Sequence, residues 1–324
     1  MNVDAHSHII PKTFLDRAAA MPGATKRKVG DQLQILDRGG NRIEFCDERW
    51  LAPDHLVRDL DAKGIDMRLI SFSAPSLNPF PVAEHATLAR QVNGELMAAA
   101  KARPDRVRAV ITLPWADPEA AVKELDRLHN APEVCAVAVG SNVCGESLAD
   151  KKFEPVWARI NTLKMPVIEH PMFPNFRDQL PDYGLSLLLG FYFDTQIMVT
   201  RMILNGVFAR YPDFPFIVAH TGAGMLNIIP RLNRLHNTSE EVRANLKGKT
   251  FADYAKNLYY DTCVFYGSTI AEACKFAGPE KVMFGTDYPF VDQTLNHVDQ
   301  PEVPEAAKAG IRGDNAARVF KLKK

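Results

Sequence analysis

Five side chains that can bind a metal ion or carry a proton each stand at the end of a short apolar run. They are His6, His8, His170, His220 and Asp287. In an extended strand alternate residues point the same way, so His6 and His8 can present two imidazoles to one point. Three neutral imidazoles and one carboxylate form a plausible ligand set for Zn²⁺, with a position open for water or substrate. The pattern therefore favours a catalytic metal site.

Each of these residues also has an ordinary explanation when it is taken alone. An isolated His-x-His segment is seldom a metal site, and Asp287 by itself could cap a helix. The combination favours chemistry, because four of the nine histidines close apolar runs. The other histidines lie in polar or helical segments and are predicted to be solvated: His55, His85, His129, His236 and His297.

The elements that would position these residues repeat along the chain. Short apolar runs alternate with amphipathic helical segments, which indicates parallel strands covered by helices. Eight such units predict an α/β fold, a (β/α)₈ TIM barrel, whose active sites lie at the C-terminal ends of the strands. An open doubly wound sheet is the alternative, but it would favour a Gly-rich turn after the first strand. The eight runs are Val3–His8, Met67–Ser73, Val107–Leu113, Val134–Gly140, Met165–His170, Phe214–His220, Leu258–Val264 and Val282–Asp287.

The chain has 324 residues, whereas a barrel of this type needs about 250. We interpret residues 1–324 as a single domain with an insertion at 11–53, after the first strand. Within it, runs at 32–36 and 41–45 flank Gly39 and Gly40, a pattern typical of a β-hairpin. Such a hairpin would lie over the active site. A second surplus segment, 171–194, follows the fifth strand.

Composition excludes several classes of partner. Lys plus Arg and Asp plus Glu both number 39, so the formal net charge is zero and no basic surface for nucleic acid is indicated. The start of the chain does not have the pattern of a signal peptide, and no apolar run reaches about 18 residues, so no membrane partner is expected. Five cysteines without CxxC spacing fit reduced thiols, and therefore a cytoplasmic protein.

Four motifs together resemble the amidohydrolase superfamily. They are DAHSHIIP at the start, IEHP in the middle, AHTGAG after the sixth run and FGTDYPF after the eighth. The chain is most similar to the metal-dependent decarboxylase branch, typified by 2-amino-3-carboxymuconate-6-semialdehyde decarboxylase. The resemblance spans nearly the whole chain and agrees with a (β/α)₈ barrel. It is specific for the superfamily and the branch but less specific for a substrate.

The resemblance implies a role for each site residue. His6, His8, His170 and Asp287 would bind one divalent metal ion, most often Zn²⁺, and Asp287 is counted with the catalytic residues. His220 would be the catalytic acid and base beside the metal.

The resemblance also implies how a substrate is held. Arg42, or alternatively Arg49, would bind a substrate carboxylate, and Trp50 is one of several aromatic residues that could line the pocket. Arg231, eleven residues after His220, would reach into the active site of a partner subunit. The implied assembly is a homodimer with shared active sites.

Two departures from the family pattern bear on the site. Residues 134–141 contain no Lys that could be carboxylated to bridge two metals, which argues for a single ion. Where the family usually has HGGG, this chain has His220 followed by Thr221, Gly222, Ala223 and Gly224. The two added side chains predict a different pocket floor.

These features favour non-oxidative decarboxylation of an aromatic or muconate-like carboxylic acid. A metal with an open position is a Lewis acid, a histidine can deliver a proton, and arginines can clamp carboxylates. Hydrolysis or hydration of a lactone, an amide or an unsaturated dicarboxylate is the alternative, and a catalytically inactive scaffold is a third. Besides Zn²⁺, a His₃Asp set accepts Mn²⁺, Co²⁺ or Fe²⁺.

Overall fold

The computed structural model describes residues 1–38, 42–47 and 53–323. Its main sheet contains eight parallel strands that form a nearly closed barrel surrounded by helices, which confirms the predicted (β/α)₈ barrel. The strands run in the order β1-β5-β6-β7-β8-β9-β10-β11, where β1 is Val3–His8, β5 Met67–Ser71, β6 Val107–Thr112, β7 Val134–Gly140, β8 Val167–His170, β9 Phe216–Val218, β10 Tyr259–Asp261 and β11 Val282–Met283.

The barrel closes where the first strand meets the segment that follows the last. The backbone N–H of Ala5 donates to the carbonyl of Phe284 at 2.9 Å, and that of His8 donates to the carbonyl of Tyr288 at 2.7 Å. In the other direction, the N–H of Asp287 donates to the carbonyl of His6 at 2.9 Å. This seam brings the two ends of the chain together at the predicted metal site.

The helices cover the outside of the barrel. Local capping sets several of their starts: Asp117 accepts from the N–H of Ala120 at 3.1 Å, and Pro118 stands at the first helical position. The helices are α1 Lys12–Ala19, α2 Pro53–Lys63, α3 Val82–Ala102, α4 Pro118–Leu128, α5 Glu154–Leu163, α6 Phe191–Leu204, α7 Val207–Arg210, α8 Ile229–Thr238, α9 Glu240–Asn245, α10 Phe251–Ala255, α11 Gly267–Ala277, α12 Glu305–Ala309 and α13 Asn315–Val319.

A small antiparallel sheet follows α1. It has the order β2-β3-β4, with β2 at Thr25–Val29, β3 at Gln32–Leu36 and β4 at Arg42–Asp47. The pairing of β3 with β4 lies where the hairpin was predicted, although the turn at 39–41 is outside the described residues. Strand β2 was not predicted, because its sequence TKRKV is exposed along its whole length and has no apolar alternation.

The amphipathic pattern at 195–211 continues without a break in the sequence, but the structure forms two helices there, α6 and α7. Gly206 separates α6 from α7 with a φ of 75°, and a Cβ at this position would lie 2.6 Å from the carbonyl oxygen of Asn245. Only glycine fits such a left-handed position against the backbone without strain. The helix therefore ends before Gly206, although the apolar pattern of the sequence continues beyond it.

The segment 186–204, which includes α6, is long and apolar enough to cross a membrane by length and composition alone. In the structure α6 packs on the barrel and buries Met198, Val199 and Met202 in the main hydrophobic core. A core helix has the same composition as a membrane-spanning one, so this segment is weak evidence for a membrane.

Candidate metal centre and active site

The five predicted site residues converge at the C-terminal end of the barrel. Nε2 of His8 lies 3.1 Å from Nε2 of His6 and 3.2 Å from Oδ1 of Asp287. The His170 ring lies 4.6 Å from the His8 ring, centroid to centroid, and Nε2 of His220 lies 3.9 Å from Oδ2 of Asp287. One ligand-type atom each from His6, His170, His220 and Asp287 lies within 4.8 Å of the others.

The hydrogen bonds on the far side of the rings fix which nitrogens face the centre. Nδ1 of His170 donates to the carbonyl oxygen of Pro171 at 2.9 Å, and a carbonyl can only accept. Nδ1 of His8 donates to the hydroxyl of Ser71 at 2.7 Å, and that hydroxyl donates onward to a backbone carbonyl. When neutral, both rings therefore present the lone pair of Nε2 to the centre.

His6 completes this arrangement through a buried carboxylate. Its Nδ1 donates to Oδ2 of Asp261, a residue at the end of β10. Carboxylate–histidine pairs of this kind orient metal-binding imidazoles. Three Nε2 atoms and the Asp287 carboxylate then face one another at close range. A divalent cation is the partner that this set of donors fits, because without one the lone pairs and the negative charge would repel.

Burial and charge act in opposite directions on these groups. Burial lowers the pKa of His8 to about 4, and burial together with the neighbouring imidazoles lowers the pKa of His170 well below its ordinary value. Burial also disfavours the charged form of His6, but Asp261 outweighs it and raises the pKa of His6 to about 9. Burial raises the pKa of Asp287, yet hydrogen bonds from His220 and His8 bring it well below the ordinary value. A cation that binds here therefore has to displace a proton from His6. It meets Asp287 as an ionised carboxylate.

His220 stands in an unusual backbone segment rather than in a strand. Strand β9 ends at Val218, and His220, Thr221 and Ala223 have φ values of 52°, 54° and 51°. The left-handed region is rare for residues other than glycine and is unfavourable for a β-branched one such as threonine. We call this segment, residues 220–224, the left-handed turn.

The buried Asp261 and the half-buried Gln196 hold the left-handed turn. Oδ1 of Asp261 accepts from the N–H of Thr221 at 2.9 Å, and the hydroxyl of Thr221 donates to the carbonyl of Asp261 at 2.9 Å. From the other side, Nε2 of Gln196 in α6 donates to the carbonyl of Ala223 at 2.6 Å. Asp261 therefore contacts both the backbone beside His220 and the ring of His6.

Asp287 is held in a similar way beyond the end of β11. Its φ is 56°, and its neighbour Thr286 donates from both N–H and hydroxyl to the buried carboxylate of Asp4, at 3.0 and 2.6 Å. The guanidinium of Arg68 binds the same carboxylate at 2.8 Å and lies 3.9 Å from the ring centroid of Tyr288. The residues on both sides of Asp287 are thus fixed by a buried ion pair.

A pocket of about 500 Å³ opens above the cluster. We call it the mouth pocket. His170, His220 and Asp287 form its floor, and Ile43 and Glu44 of β4 contribute to its wall. Its remaining walls are largely aromatic: Phe173, Phe191, Tyr192, Phe265 and Phe290. A pocket with a few convergent polar groups and aromatic walls suits a planar organic acid.

The structure does not bring all of the predicted residues to the pocket. Arg49 and Trp50 lie outside the described residues, and of Arg42 only the backbone, at the start of β4, is described. Arg231 is exposed on α8 and forms no hydrogen bond or ion pair with any part of the chain that the structure describes. It does not line the mouth pocket.

The prediction that the five remaining histidines are solvated was wrong for two of them. His297 is buried, stacks on the ring of Phe284 with centroids 5.3 Å apart, and lies 2.8 Å from the hydroxyl of Thr262. His85 is also buried, and it contacts the carbonyl of Phe80 at 2.9 Å. Both histidines are core residues, and their partners are distant in sequence or are backbone carbonyls.

Sequence reasoning missed Asp261. It ends the seventh barrel strand in the structure, whereas the predicted run Leu258–Val264 placed it inside the strand. A buried carboxylate that holds His6 could have been found by asking which residue supports each predicted ligand.

Comparisons with known proteins agree with this geometry. The family model described as amidohydrolase matches residues 3–322. A gamma-resorcylate decarboxylase from Rhodococcus jostii is 28% identical over 97% of this chain and 96% of its own length. A 2-amino-3-carboxymuconate-6-semialdehyde decarboxylase from Dictyostelium discoideum is 24% identical over 99% of this chain and 92% of its own.

Solved structures share the fold. The 5-carboxyvanillate decarboxylase from Sphingomonas paucimobilis superimposes with a TM-score of 0.84 at 23% identity, over 99% of both chains. A dihydroxybenzoic acid decarboxylase from Polaromonas, solved with bound manganese and the inhibitor 2-nitroresorcinol, gives a TM-score of 0.82 at 21% identity, over 100% of this chain and 97% of that one.

Proposed function

Because the chain belongs to the amidohydrolase family, we propose that it is a metal-dependent carboxy-lyase that removes CO₂ non-oxidatively from an aromatic carboxylic acid. The observation that carries the proposal is the set of imidazole nitrogens and the carboxylate that converge on the floor of an aromatic pocket. Relatives that match nearly the whole chain act as decarboxylases of aromatic or muconate-type acids.

His6, His8, His170 and Asp287 would hold one divalent metal ion. When it is bound, the ion supplies a Lewis acid that draws electron density from an oxygen of the substrate. Zn²⁺ was expected from the sequence. Mn²⁺ is bound in two of the structural neighbours, so both metals belong in the first assay.

His220 would move the proton. Its Nε2 lies on the pocket floor beside Asp287, and its ring stacks on Tyr192 with centroids 5.3 Å apart. In the reaction the bond between the ring carbon and the carboxylate breaks, and its electron pair stays on the ring carbon. That carbon takes a proton from Nε2 of His220, and CO₂ leaves. The aromatic walls hold the ring and keep bulk water away from the carbon.

Arg42, Trp50 and Arg231 would bind the substrate, with Arg231 supplied by the partner in a homodimer. An exposed apolar face supports this assembly. Leu189, Phe193 and Ile197 are spaced four residues apart and are 46%, 46% and 39% exposed. On the other side of the left-handed turn, Arg231 stands between Ile228 and Leu235 on one face of α8, and both of these are also exposed.

Exposed apolar side chains of this kind suit an interface, and a second copy of the chain would bring Arg231 to the neighbouring site. The test uses two inactive variants, Arg231→Ala and Arg42→Ala. Mixed dimers should regain activity, because one of their two sites has both arginines. Hybrids that form and stay inactive would refute the role of Arg231 across the interface.

The free cysteines support an enzyme of the cytoplasm. The proposed reaction itself is tested with the metal-loaded protein and a panel of hydroxybenzoates and muconates. Release of one CO₂ for each acid consumed supports decarboxylation. Consumption of a lactone, an amide or an unsaturated dicarboxylate without CO₂ would show hydrolysis or hydration instead. Stoichiometric metal with neither activity would indicate an inactive scaffold.

A further inference from the structure

A second, much smaller cavity lies on the other side of the histidines. It has a volume of about 30 Å³ and is walled by His6, His8 and His170 at one end. We call it the inner cavity. Since one water needs about 10–15 Å³ measured in this way, the inner cavity holds two waters or one small linear molecule. The mouth pocket, by contrast, is large enough for the whole aromatic acid.

The walls of the inner cavity are mostly apolar. They include Leu69, Val110, Ala138 and Ile168 from the barrel interior. Of its polar groups, the hydroxyl of Ser71 already pairs with His8. The hydroxyl of Thr112 is buried and has no hydrogen-bond partner among the residues that the structure describes. A guest here would meet a mostly apolar wall and the free hydroxyl of Thr112.

The inner cavity also leads away from the mouth pocket. It shares Ser76, Trp115, Gly140 and Met172 with a neighbouring cavity of about 20 Å³. That cavity in turn shares Asn78, Asn142 and Met172 with an open surface pocket that includes the exposed Cys144. The flexible side chain of Met172 lines all three spaces.

We propose that these cavities form a side channel that binds CO₂ beside the metal ligands and conducts it to the surface. The proposal rests on the proposed decarboxylation. CO₂ formed from the substrate carboxylate would leave through the floor of the mouth pocket while the aromatic product still fills that pocket. The inner cavity matches CO₂ in size and low polarity, and the free hydroxyl of Thr112 can donate to one of its oxygens.

Gly140 gives a sharp test, because it walls both inner spaces. A Cβ at this position would lie 2.6 Å from Cγ of Met172, so alanine must displace Met172 into the channel. In the reverse reaction, with labelled CO₂ and the phenolic product, Gly140→Ala should raise the KM for CO₂ about tenfold, equal to roughly 1.4 kcal/mol. The KM for the phenol and the metal content should stay within twofold of the parent.

Two further variants make the result specific. Gly94→Ala is the matched control, since nothing lies within 4 Å of a Cβ there. Adding Met172→Ala to Gly140→Ala removes the contacts with Met172 and leaves a 3.0 Å contact with the carbonyl oxygen of Asn142, so it should restore the KM for CO₂. An unchanged KM for CO₂ in Gly140→Ala, or parallel rises in both KM values, would overturn the channel.

Crystals of the metal-loaded protein pressurised with CO₂ give a readout that needs no turnover. Density between Thr112 and Met172 supports the CO₂ site, and density in the mouth pocket alone, or only ordered water in the inner cavity, overturns it. If no acid releases CO₂ in solution, the proposed function fails, whereas the crystals still decide whether the cavity binds CO₂.

Discussion

The two halves of the barrel hold their site residues by different means, where the first half is the first five strands and the second half is the last three. In the first half, His6 and His8 belong to a strand of six residues, and His170 ends a strand of four. In the second half, the strands before His220 and Asp287 have only three and two residues. Both residues lie beyond their strands with positive φ, 52° and 56°.

The difference lies in which contacts hold each site residue in place. The ladder of parallel strands positions the first-half histidines, so their placement follows from the barrel itself. His220 and Asp287 depend instead on buried side chains, Asp261 beside one and Asp4 beside the other. The second half should therefore be the more sensitive to substitutions that leave the strands intact.

The largest effect is expected from removing ligands in the first half. His6→Ala combined with His8→Ala should abolish metal binding and activity, because two of the four donors are lost. Elemental analysis of the purified protein measures the metal, with His129→Ala as a control outside the site. A full complement of metal in the double variant would show that these histidines are not ligands.

In the second half, His220→Ala should separate catalysis from metal binding. Loss of the proton donor is expected to lower turnover by roughly 10²-fold or more while the metal stays bound. Steady-state kinetics on protein of known metal content measures this. If the metal is lost as well, His220 belongs to the ligand set, as its distance from the other donors would also allow.

Asp261→Asn tests the residue that joins the two halves. The amide keeps the size of the side chain but removes the charge that holds His6, so metal affinity should fall about 10- to 100-fold. Competition with a chelator measures the affinity. Asp213→Asn, at an exposed site before β9, is the matched control, and equal affinities in the two variants would exclude a positioning role for Asp261.

The smallest expected effect concerns the left-handed turn. Thr221→Val keeps the strained backbone but loses the hydroxyl bond to Asp261, so the free energy of unfolding should fall by about 1 kcal/mol. Thr221→Gly loses the same bond but relieves about 1–2 kcal/mol of left-handed strain, so it should be the more stable of the two. Urea unfolding measures both. The reverse order would mean that the turn carries little strain.

The contrast between the halves also explains which parts of the fold could be predicted from the sequence. Apolar runs located all eight barrel strands, but they overextended the later ones. Phe284 and Ala219 continue the apolar pattern after the chain has left the sheet for the turns at His220 and Asp287. Backbone φ at these turns depends on Asp261 and Asp4, which are distant in sequence.

Residues whose environment comes from elsewhere in the chain were the hardest to predict. His297 looked like a solvated histidine, and its burial depends on Thr262 and Phe284. Asp261 lay inside the predicted run Leu258–Val264, but in the structure it ends β10 and contacts both His6 and Thr221. By contrast, the His-x-His pair could be predicted, because strand alternation alone brings its two rings to one point.

The seam between the first and last strands has a consequence for biosynthesis. His6 and His8 precede Asp287 by about 280 positions, and the seam joins them across that distance. The complete set of donors therefore forms only after the chain has been made as far as Asp287 and the barrel has closed. A metal ion bound by this set would stabilise the closed barrel, because the unfolded chain does not hold the donors together.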